Sequence, residues 1–142
     1  MSEENRKVIV LACSGIGKVY GLIAREAVLK VARELRPDAA RTMCLALLMT
    51  DDAEAHEIIN GATCITVDGC PKLCAAKNGA LAGGVVAEQV RVVDLFRAYR
   101  GVNAGTATAL TADGWKIVAD LAGQLAEKID ALRAAGTLEE AE

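Results

Sequence analysis

Five cysteines carry most of the chemistry this sequence can offer: Cys13, Cys44, Cys64, Cys70 and Cys74. Two of them stand four apart in VDGCPKLCAAKNG, residues 67–79, directly after an apolar run and an Asp-Gly pair. A thiolate is a nucleophile, a redox centre and a soft metal ligand, whereas a buried thiol is a small hydrophobe. C-x3-C is a spacing that zinc sites use, and a tetrahedral set of sulfurs suits zinc or an iron–sulfur cluster. The remaining cysteines are scattered, so spacing alone leaves metal binding, thiol chemistry and core packing all open. The odd count argues against a complete disulfide framework.

Position says more than spacing. Cys70 falls at the expected start of a helix, where free N–H groups and the helix dipole favour a thiolate, and Cys74 one turn on shares its face. Cys13 also precedes a helix, through SGIGK. Two helix N-termini would thus aim at one group of sulfurs. With Lys18 or Lys72 they would offset the excess negative charge of several thiolates on a divalent ion. Cys64 lies inside an expected strand, away from its carboxyl end, and is expected in the core.

Around the thiols, Gly69 lets the chain turn sharply and approach an ion closely. Asp68 at a strand end reads either as a catalytic acid or base or as a cap for the following helix. Gly15, Gly17 and Gly21 form G-x-G-x3-G after a strand, one residue away from the dinucleotide fingerprint and without its acidic residue at the end of the second strand. His56, the only histidine, has acidic neighbours and reads as a solvated surface residue. No Ser-His-Asp or Cys-His set exists that does not depend on it, which disfavours hydrolases of that kind.

The elements that must position these residues alternate along the chain. KVIVLAC (7–13) reads as a strand, and Lys18 to Leu35 as an amphipathic helix stopped by Pro37. ARTMCLALL (40–48) reads as a second strand, and 50–60 as a helix capped by Thr50 or Asp51 and ended by Asn60-Gly61. ATCITVD (62–68) is a third strand, with Ile65 and Val67 on one face and Cys64, Thr66 and Asp68 on the other. A helix from Pro71 fades around Gly79 to Gly84, and 87–96 is a fourth strand. Residues 100–110 form a small-residue loop suited to a lid or mobile connection. A helix capped by Thr111 runs over 111–135, with Val118, Leu121, Leu125, Ile129 and Leu132 in one stripe.

Such alternation predicts a single three-layer Rossmann-like α/β domain over 1–136, about four mostly parallel strands with helices on both faces and a long C-terminal helix, then an acidic tail over 137–142. Ligands of these sheets bind outside the carboxyl ends of the strands, at a switch in strand order. In the order 2-1-3-4, Cys13 and Cys70 flank that switch on strands about 4.8 Å apart. Cys44 joins them only if the second strand stops early enough.

The 142 residues are 53% hydrophobic with a net charge of −3, a globular composition without the basic footprint of a nucleic-acid binder. MSEENRKVIVLAC has acidic residues where a signal peptide needs basic ones, and its apolar run is too short to cross a membrane. The expectation is a cytoplasmic protein without nucleic-acid or membrane partners. The long last helix could serve a protein partner or a homodimer as well as cover the sheet.

LACSGIGKVYGLIAREA, then MCLA, then VDGCPKLCA together resemble the DGC-domain family, named for its Asp-Gly-Cys motif and carrying four cysteines proposed as zinc ligands. The resemblance runs from about residue 8 to residue 95. It implies zinc held by Cys13, Cys44, Cys70 and Cys74, with Ser14, Asp68 and Gly69 supporting them, and gives Cys64 no counterpart. Four protein thiolates close the coordination sphere, which implies a structural or regulatory role. The alternative is an enzyme or carrier in sulfur, selenium or redox chemistry, with Cys70 or Cys13 reactive and any metal incidental or an iron–sulfur cluster.

Overall fold

The computed structural model describes residues 7–13, 18–50, 52–69 and 71–141, the side chains as far as residue 135. The β-branched run Val8–Ala12 forms β1, buried on both faces. The amphipathic stretch after it forms α1, Val19–Lys30, continued by a π-helical turn, Val31–Leu35, ahead of Pro37. β2, Ala40–Arg41, is only two residues long. Two short helices follow, α2 (Leu45–Met49) and α3 (Ala53–Ile59), then β3 (Thr63–Asp68) and α4 (Cys74–Leu81). β4 (Val85–Arg91), a helical turn α5 (Val92–Leu95) and the long α6 (Ala112–Ala141) complete the chain.

All four strands are parallel in the order β2-β1-β3-β4. The sheet and helices make the expected single α/β domain, with the topological switch between β1 and β3. One core packs Val8, Val10, Ile65 and Val67 under α1 and α6. The other packs Ile9, Leu11 and Cys64 under α2, α3 and α4. The alternation expected along β3 is therefore the one observed, and the α6 stripe is buried through Ile129. Thr111 caps α6 as expected, its hydroxyl accepting the Gly114 N–H at 3.1 Å and donating to the Asn103 carbonyl at 2.7 Å. The helix runs on past residue 135 to Ala141.

Four further expectations change. The run read as a strand over 40–48 is a strand only at Ala40–Arg41 and becomes helix at Leu45. Leu, Ala and Met favour helix over strand, and burying Leu45 and Leu48 fits a helical step of three. The cap of α3 is Asp52, whose carboxylate accepts the Ala55 N–H at 2.9 Å; Asp51 lies outside the described residues. The fourth strand starts at Val85 and ends at Arg91, where an Arg91–Asp94 ion pair at 2.8 Å closes the turn into α5. Its register against β3 shifts by one residue at Ala87, opposite the Cys64/Ile65 step. Finally, α4 starts at Cys74 rather than near Pro71.

The loop after α5 is knit to itself: the Thr106 N–H donates to the Ala109 carbonyl, and Gly105 bridges to Leu110. Among the described residues, no helix is long and apolar enough to cross a membrane.

Candidate functional site

The carboxyl end of β3 sets one side of the site. Asp68 is buried, and its two carboxylate oxygens accept the N–H groups of Ala75 and Ala76 at 2.7 and 3.2 Å. These are the second and third residues of α4, so Asp68 acts as the helix cap from seven residues upstream. That placement fixes where α4 begins and leaves Asp68 and Gly69 outside it. The expected pairing of Cys70 with Cys74 on one helical face involves a residue outside the described ones. Cys74 stands at the helix start. Leu73 before it takes a left-handed backbone (φ 57°), the only non-glycine to do so among the described residues. Burial pushes the Asp68 carboxyl above its ordinary value, opposed by the two N–H donors and the charge of Lys77. Of the two roles the sequence allows Asp68, the cap is the one its contacts satisfy.

Gly69 follows in tight contact with the first turn of α1. A methyl group there would lie 2.7 Å from the Gly21 nitrogen and 2.9 Å from the Gly21 Cα and Tyr20 carbonyl carbon. The close approach that this glycine permits is to a helix backbone. Its N–H donates to the Cys13 sulfur at 3.3 Å, while the Cys13 N–H extends the ladder to the Val67 carbonyl at 3.1 Å. Cys13 and the Asp-Gly turn are thereby fastened side by side across the switch point.

The early end of β2 answers the question left by Cys44. Since the strand stops at Arg41, Cys44 lies beyond its carboxyl end, exposed, as the residue before α2. Cys13, Cys44 and Cys74 come from three separate segments, and all three line one cavity of about 570 Å³. Ser14 and Cys70 lie outside the described residues, as do Gly15 and Gly17. Lys18 and Lys72 are exposed.

Cys64 has the environment of core. It is fully buried, it donates to the Ala62 carbonyl at 3.4 Å, and desolvation pushes its thiol up to about 11. His56 differs from expectation: it is half-buried, with Nε2 at 3.1 Å from both the Leu48 and Thr50 carbonyls. Both partners are acceptors, so Nε2 carries the proton and ties α3 to the end of α2. The signal that could have found this role is the need of a short helix for partners at its last carbonyls.

The donors are soft and sulfur-rich, as a thiophilic ion requires. Among the described residues, however, no three of His, Cys, Asp and Glu stand together closely enough to hold an ion. Fold and site define a parallel α/β domain with a thiol-lined cavity at the carboxyl edge of its sheet. The family model of the DGC domain matches residues 9–113, and the chain belongs to that family. Membership bears on metal binding and no further. No curated protein and no solved structure matches the chain.

Proposed function

We propose that the protein binds one zinc ion per chain through Cys13, Cys44, Cys70 and Cys74, in a structural or regulatory role. The observation that carries this reading is the sorting of the thiols. Three that the family resemblance marks as ligands line a single cavity, and Cys64, which it does not mark, is sealed in the core with its proton held. When bound, zinc would supply a closed four-thiolate centre. The chain's own part is to hold Cys13 beside the Asp-Gly turn and to present Cys44 from the residue before α2 and Cys74 from the first residue of α4. Both cores are built without Cys44 and Cys74, so the metal-free domain should keep its secondary structure.

Elemental analysis and absorption spectroscopy on protein purified without oxygen or added metal provide the test. The expected result is one zinc per chain, lost on replacing any of the four ligands by Ala. Cys64→Ser should keep the metal and cost about 1–3 kcal/mol of stability through its buried hydroxyl. A shell dominated by nitrogen and oxygen overturns the reading. Brown, oxygen-sensitive protein means an iron–sulfur cluster. No metal, with rapid alkylation of Cys44 and Cys74, moves thiol-based sulfur or redox chemistry ahead.

A further inference from the structure

The thiol-lined cavity is much larger than an ion needs. At about 570 Å³ it lies within the range of small-molecule sites, roughly 300–1,000 Å³. Its origin is the truncated strand. β2 covers only Val8 and Ile9 of β1, and the chain then leaves for α2, opening a gap beside the carboxyl half of β1. Cys13 and Val8 point their N–H groups to opposite sides, toward β3 and toward the β2 segment respectively. Ala12, with the parity of Val8, therefore turns its N–H into the gap, where no strand of the described residues lies to pair with it.

The walls of the gap are apolar: Val28 and Leu29 from α1 face Met43, Leu45 and Met49 from the β2–α2 segment. Its only charges among the described lining residues are two guanidiniums, Arg25 and Arg33, in a chain whose net charge is −3. Arg25, Leu29 and Arg33 recur at steps of four along one helical stripe. Exposed Arg25 meets half-buried Glu26 at 3.6 Å, an adjacent-residue pair open to solvent that holds it weakly. Arg33 makes no ion pair among the described residues.

We propose that this cavity binds a small organic carboxylate with an apolar body, its charged end held by Arg25 and Arg33 and its body packed between α1 and α2. A ligand that also carries an acceptor at its inner end would meet the Ala12 N–H beside the thiols. The assignment stands whether or not those thiols hold an ion.

The test is calorimetric titration of the full chain, metal-free and zinc-loaded, with octanoate, octylammonium and octanol. Octanoate should bind at one site per chain, about tenfold or more tighter than octylammonium, from the loss of charge-assisted hydrogen bonds in the cation. Arg25→Gln and Arg33→Gln should each weaken octanoate about five- to tenfold and leave octanol unchanged. Arg25→Lys, which keeps the charge without the fork, should fall between. Ala46→Phe, at an exposed lining position, should fill the space and weaken octanoate and octanol alike. Trp115, the only tryptophan, lines a neighbouring groove that shares Leu29 and Arg33; its emission should not change. No octanoate binding, equal affinity for octylammonium, indifference to both Arg→Gln changes, or a Trp115 response overturns the proposal. Zinc uptake is read separately when the loaded sample is prepared, so octanoate binding by a chain that takes up no zinc sinks only the zinc reading, and zinc uptake without octanoate binding sinks only this one.

Discussion

Two strands of one sheet end in opposite ways. At the carboxyl end of β3 the Asp-Gly turn is fully engaged: Asp68 caps α4 with both oxygens, and Gly69 lies against the α1 backbone while donating to Cys13. At the carboxyl end of β2, two rungs away in the same sheet, Thr42, Met43 and exposed Cys44 border an open cavity. The closed end aligns one thiol and the open end leaves room beside it. A site that must both hold its ligands in register and admit something from outside needs both kinds of end. In this fold the difference comes from strand length, six residues in β3 against two in β2.

The sharpest way to break that contrast is at Gly69. In Gly69→Ala the new methyl group meets backbone atoms of Gly21 and Tyr20 below 3 Å, and backbone inside a helix cannot swing aside as a side chain would. Overpacking of this kind costs about 1–3 kcal/mol, and this site should lie at the upper end. Cys44→Ala at the open end, on an exposed residue without a cap hydrogen bond, should stay within about 0.5 kcal/mol. Urea unfolding of both variants compares the two directly; equal costs would mean that the β3 turn is not the rigid side.

Much of this architecture was legible in the chain. Strand-helix alternation and the β-branched runs carry the strand order, the parity of β3 and the buried stripe of α6. The open end was not legible, because TMCLALLM is apolar without a period long enough to separate strand from helix. The cavity depends on that difference: a full strand over 40–48 would fill the gap beside β1. The start of α4 was misplaced for a different reason. Pro71 is a plausible first helical residue locally, but Asp68 reaches the Ala75 and Ala76 N–H groups only if the helix begins later. Cys13 and Cys64, whose positions depend on the long strands alone, fell where periodicity put them.

Asp68 gives the next largest effect. Asp68→Ala removes the acceptor of two buried N–H groups, costing about 1–3 kcal/mol. Asp68→Asn separates the charge from the shape. Burial raises the folded-state carboxyl above the ordinary 3.8, so the folded chain holds this proton more tightly than the unfolded chain does. The stability linked to that proton is fully present below about pH 3.8 and is lost as pH rises through the raised value. Asn does not titrate there. The wild-type-minus-variant difference in unfolding free energy should therefore fall with rising pH across that window and then level off. A difference that grows with pH instead would mean that the N–H donors outweigh desolvation, and that the β3 end is built around a charge.

A smaller effect, of opposite sign, tests how complete the closed end is. Thr66 precedes Asp68 by two residues on the same face of β3, fully buried, and its methyl group points toward α4, where a Cβ on Gly79 would lie 3.9 Å away. Its hydroxyl is the one buried side-chain polar atom without a hydrogen-bond partner among the described residues. A hydroxyl in that position has lost its water and gained no protein partner, whereas a methyl group of nearly the same shape loses nothing. Thr66→Val should therefore stabilise the protein, by about 1 kcal/mol, with no change in metal content or in alkylation of Cys44 and Cys74. If the variant is instead less stable, the hydroxyl does have a partner, and ordered water reaches the closed end of β3 as it must reach the open end of β2. The contrast between the two ends would then be one of degree, set by how far water penetrates beside each strand.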